Sequence, residues 1–80
     1  MSNTVTPAAS AAARDERLRT LYAKWQQFES EYADARGSND QEVMTNLRGL
    51  MLLIKKEITR LGGNGPQFKE ELNRHHLADL

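Results

Sequence analysis

His75 and His76 stand side by side near the end of an 80-residue chain. Imidazoles are metal-ligand material, but a zinc site takes three or four protein ligands. Adjacent residues on a helix point about 100° apart, so two neighbouring rings chelate one ion poorly. Glu71 and His75 have the better i, i+4 spacing, and no further ligand completes a set around them. The expectation is two solvated histidines, no metal and no other cofactor.

Carboxylates are the next chemical candidates: Glu29, Glu31 and Asp34, then Glu42 and Glu57. A general acid or base needs a concave, partly dry pocket to tune its pKa. The apolar positions around these carboxylates form stripes without an intruding Arg or Lys, so no catalytic group is expected. Gly62-Gly63-Asn64-Gly65 follows a helical stretch rather than opening a strand-to-helix turn, which argues against a phosphate-cradling loop. With no cysteine there is neither a disulfide framework nor thiolate chemistry. The chain is expected not to be an enzyme.

The elements that carry these residues are helical. Leu18, Leu21, Trp25, Phe28, Tyr32 and Ala35 are spaced 3, 4, 3, 4, 3, a heptad seam of the coiled-coil kind on one helix face. Gly37 follows the seam and is expected to take the left-handed conformation that ends a helix. Ser38 with Gln41 has capping-box spacing, and Asp40 is the alternative cap. A second stripe follows in Val43, Leu47, Leu50, Ile54 and Leu61, widened by Met44, Met51 and Ile58, with Leu53 on its flank and Leu52 pointing nearly away. Gly62-Gly63 ends it. Pro66 opens a shorter helix, where Phe68 and Leu72 pair at i, i+4.

The fold class is therefore all-α: an antiparallel hairpin of two long amphipathic helices plus a short C-terminal helix. Residues 1–10 read as a flexible tail, 11–61 as the hairpin with its turn at 37–40, 62–65 as a Gly-rich link, and 66–80 as the short helix and its tail. Thr6-Pro7 is a plausible helix start. Two helices leave the large rings of Trp25, Phe28 and Tyr32 partly uncovered. Chains this small often gain stability from a partner subunit. A homodimer closing into a helical bundle is the expected remedy.

Composition narrows the function classes. Apolar residues make up 39% and charged residues 28%, a globular rather than a disordered balance. Eleven cationic and eleven anionic side chains cancel, which removes any indiscriminate pull toward nucleic acid or anionic lipid. No apolar run approaches the roughly 20 residues of a membrane span. No signal-peptide pattern opens the chain, and a cytoplasmic setting is the default expectation.

Two surfaces remain as candidates. Leu21, Trp25, Phe28, Tyr32, Leu47, Met51, Leu52, Ile54 and Ile58 form the candidate face for dimerisation or protein capture, since large aromatics dominate binding hot spots. Arg48, Lys55, Lys56 and Arg60 form a candidate basic face for nucleic-acid contact on the outer side of the second helix. The main expectation is a small protein-binding adaptor, chaperone or regulator whose partner is another protein. The alternatives are a nucleic-acid-binding dimeric bundle and a self-assembling filament subunit.

Overall fold

The computed structural model describes residues 7–80; residues 1–6 of the expected tail lie outside them. The described residues form three helices, α1 (Pro7–Gly37), α2 (Gln41–Arg60) and α3 (Pro66–Arg74), with no strand among them. The chain is all-α, and α1 and α2 pack as the expected hairpin. Pro7 opens α1 at a position where a missing N–H costs nothing. Ala12 to Arg17 are exposed, and packing begins at Leu18.

All three helices stop on the same device. A residue of positive φ follows the last turn, and two backbone N–H groups reach back to carbonyls that would otherwise lack partners. At the end of α1 the left-handed residue is Asn39, φ 55°, with Asn39 N–H donating to Arg36 O (3.1 Å) and Asp40 N–H to Ala35 O (2.9 Å). Gly37 is thus not the left-handed residue expected from its type. It is the last residue of the helix itself. Asn tolerates this backbone region because its short polar side chain bonds locally. Gly62, φ 77°, does the same for α2, and His76, φ 57°, for α3. After α3 the motif is completed by Leu72 and Leu77, both buried. Asp40, not Ser38, caps α2, its carboxylate accepting from Val43 N–H at 3.2 Å.

The core is Leu21, Trp25, Met51, Ile58, Phe68, Leu72 and Leu77, so it draws on all three helices and the last turn. Trp25 is 1% exposed within a single chain. Phe68 meets it edge to face with centroids 5.1 Å apart, and Tyr22 meets Phe68 at 5.7 Å. Such edge-to-face pairs add to the value of the buried area. This corrects the argument for a dimer from uncovered aromatics, because α3 supplies the cover.

The second stripe is corrected too. Leu47, Met51, Lys55 and Ile58 are the buried positions of α2, while Val43 and Leu50 are 40% and 44% exposed. Leu52, expected to point away, is half-buried. The physical reason is the C-terminal segment. It packs along the Arg48–Lys55 side of α2 and turns the covered arc toward itself.

The Gly-rich link is a packing point rather than a loose connection. Gly63 is buried, and a Cβ there would lie 2.7 Å from Leu18 Cδ2, 2.7 Å from Tyr22 Oη and 2.8 Å from Ile58 Cγ2. Tyr22 Oη also donates to the Gly63 carbonyl. The link lies against α1 only because residue 63 has no side chain.

Two glycines should therefore respond oppositely in urea denaturation. Gly63→Ala should lose about 1–3 kcal/mol through overpacking. Gly37→Ala should gain up to about 1 kcal/mol, since its Cβ would enter open space on a helical residue. Trp25 emission should stay blue-shifted on dilution, because its cover is intramolecular; a red shift on dilution would contradict the role given to α3.

Candidate functional site

The titratable groups converge where α3 meets α1. His75 is the C-cap of α3, and its Nε2 donates to Glu29 Oε2 at 2.7 Å, with both side chains mostly covered at 14% and 17% exposure. The imidazole ring stands edge to face with Trp25 (5.9 Å) and Tyr32 (5.7 Å). Arg74 Nη1 lies 3.9 Å from the same Glu29 oxygen. The expected pair of solvated histidines is thus corrected: His75 is an anchor, and His76 is the exposed left-handed residue of the helix stop. Arg74, in the last turn of α3, suits this position because a helix C-terminus carries partial negative charge.

Glu71 completes the cluster. Its carboxyl is pushed above the usual range first by burial, then by the charge of Glu29 and by a hydrogen bond to Glu29; Arg74 opposes the shift and Glu70 adds to it. The phenol of Tyr22 is also raised, by burial and then by the charge of Glu71. Among the described residues no group of three or more His, Asp or Glu is arranged to hold a metal ion. A cleft of about 380 Å³ runs beside the cluster, lined by Tyr22, Trp25, Gln26, Phe68 and Glu71 among others. Trp25 Nε1, on its wall, is buried without a hydrogen-bond partner. The rings of this cleft are engaged with one another, so the cluster fastens α3 to α1 through the His75–Glu29 hydrogen bond and the Arg74–Glu29 ion pair.

The candidate capture face lies mostly inside. Leu21, Trp25, Leu47, Met51 and Ile58 are buried, and Phe28, Tyr32, Leu52 and Ile54 are half-buried against the same core or its flank.

The candidate basic face is divided. Arg48 Nη1 donates to the His75 carbonyl at 2.9 Å, capping the end of α3. Lys55 is buried, and its Nζ donates to the carbonyls of Ala78 (3.3 Å) and Leu80. Neither sits on an open outer face, as the spacing had suggested. Lys56 and Arg60 are exposed, and Arg60 is bonded to Glu57. That bond holds the Glu57 carboxyl below its usual range, opposed by desolvation and helped by the lesser effects of the Arg60 and Arg17 charges. The influence of Arg17 places the start of the packed part of α1 beside the end of α2, as an antiparallel hairpin requires.

One surface was missed. On the outer side of α2, Val43, Leu50 and Leu53 are 40%, 44% and 63% exposed. Gly49, one turn before Leu53, has open space where a Cβ would be. The signal was present in the sequence as the spacing of Val43, Leu50 and Leu53, but the wide apolar arc of α2 hid which part would face water.

The pH response of the α1–α3 cluster follows from the raised carboxyl of Glu71. A carboxyl whose pKa is higher folded than unfolded contributes stability that is present at low pH and lost as pH rises through the folded value. Glu71→Gln should keep a donor toward Glu29 and remove that loss. It should raise the melting temperature by a few degrees at neutral pH and change it little in acid, so the two curves converge as pH falls.

Neither a protein-family model, nor a curated protein, nor a solved structure matches this chain.

Proposed function

We propose that this protein is a small non-enzymatic adaptor or regulator that binds another protein, and that the outer side of α2 is its working surface. One observation carries the reading: Leu50 and Leu53 are exposed on a helix whose opposite side is already filled by the chain's own core. An isolated exposed leucine needs no explanation, but two exposed leucines beside an open glycine make a contact strip for a helix or a flat surface. Gly49 strengthens the reading. A glycine inside a helix lowers its stability by about 0.5–1 kcal/mol relative to alanine, and nothing within the chain approaches it. Dimerisation belongs to the same proposal, moved from the aromatic seam to this strip.

The nucleic-acid reading has less support, since Arg48 and Lys55 are engaged with the C-terminal segment and Arg60 with Glu57. Phosphate binding needs several free cations on one face.

The test is co-purification from the native host with wild type and with Leu50→Glu/Leu53→Glu. The reading expects a protein held at defined stoichiometry by wild type and lost from the variant, with helical circular dichroism unchanged. Equal retention by both would place the working surface elsewhere. Salt-sensitive retention of RNA or DNA would replace the reading with the nucleic-acid one.

A further inference from the structure

The outer side of α2 fits a second copy of itself, and we infer that two chains pair antiparallel along this helix. The inference rests on taking α2's outer side as the working surface, and it names the occupant.

Three features of α2 point to self-pairing. The first is shape. Leu53 stands 63% exposed, and Gly49, one turn earlier on the same side, leaves a gap in the helix surface. A leucine of one helix fits such a gap on another and lets the two backbones approach closely. The second is charge. The start of α2 is acidic, with Glu42 on the helix and Asp40 at its cap; its end is weakly basic, with Lys56 and Arg60 outnumbering Glu57, to which Arg60 is bonded. A hollow of about 270 Å³ beside Val43 adds Glu31 and Asp34 to the acidic end. At the other end Arg17 adds to the basic side. Two copies side by side in the same direction would set like charges together. Reversed, each end meets its opposite.

The third feature is register. Placing Gly49 of one copy opposite Leu53 of the other sets Glu42 opposite Arg60 and Asn46 opposite Lys56, by residue count alone. A two-fold axis repeats every one of these pairs, as a closed dimer requires. The charge pattern thus selects the reversed direction and the Gly49–Leu53 fit sets the register, at which Glu42 meets Arg60. The exposed apolar surface is small, so the dimer is a weak one, with a dissociation constant on the order of micromolar.

Sedimentation of the purified chain tests this, from about 1 to about 500 μM to bracket that affinity. Wild type should pass from monomer to dimer over the range. Leu53→Glu should raise the dissociation constant by about tenfold or more while leaving helicity unchanged. Glu42→Arg should also weaken the dimer by opposing two arginines, and adding Arg60→Glu should restore it. Rescue by the double exchange is specific to the reversed pairing, because parallel helices would not bring these positions together. A monomer at every concentration overturns the self-pairing and leaves capture of a different protein untouched. A dimer that survives Leu53→Glu, or a charge exchange without rescue, also overturns it.

Discussion

Covering Trp25 is the requirement on which the rest of the molecule depends. A ring of that size contributes strongly to stability only if nearly all of it leaves water, and a single facing helix cannot enclose it. Phe68 closes it from α3, His75 closes its edge, and Leu21 and Met51 fill the hairpin side. The need for that cover explains the departures from a plain hairpin. The link must lie flat on α1, so residue 63 has no side chain. The end of α3 must be held, so Arg48, Lys55 and Glu29 are spent on it. The covered arc of α2 turns toward the C-terminal segment, and Leu50 is left outside.

Much of the architecture was legible because it depends on periodicity and punctuation. The heptad seam of α1, the Gly62-Gly63 stop and the Pro66 start are local signals, and each coincides with the helix it implies. What was not legible depends on the tertiary position of α3. Nothing local distinguishes Lys55, buried against carbonyls, from Lys56, exposed one residue later. Nothing local shows that Glu29 and His75 meet, 46 residues apart. The Gly37 reading failed for a different reason. Residue type favoured glycine for the left-handed position, while the cap geometry set by Asp40 placed that position two residues later. The outer strip of α2 was visible as residues but not as a surface, since choosing the wet flank of a wide apolar arc requires knowing what covers the other.

The charges divide by task. Those near the C-terminal segment satisfy backbone carbonyls or pair in partly buried places, where such contacts gain more than they would in water. Those along the outer hairpin stay solvated and arrange themselves by end, acidic at the turn and basic at the opposite pole. A neutral total thus conceals an uneven distribution of charge along the hairpin.

The close approach at Gly63 also constrains the order in which the chain can assemble. The surface that receives Gly63 is made by Leu18 and Tyr22 of α1 together with Ile58 of α2. That surface does not exist until the two long helices have come together. Hairpin closure spans a short turn and is entropically cheap, whereas α3 finds its seat only on a finished hairpin. The last helix therefore seats fully only on a hairpin in its native register. A hairpin slipped by one turn would bring the wrong residues against the glycine, lose the Phe68 contact and leave Trp25 in water.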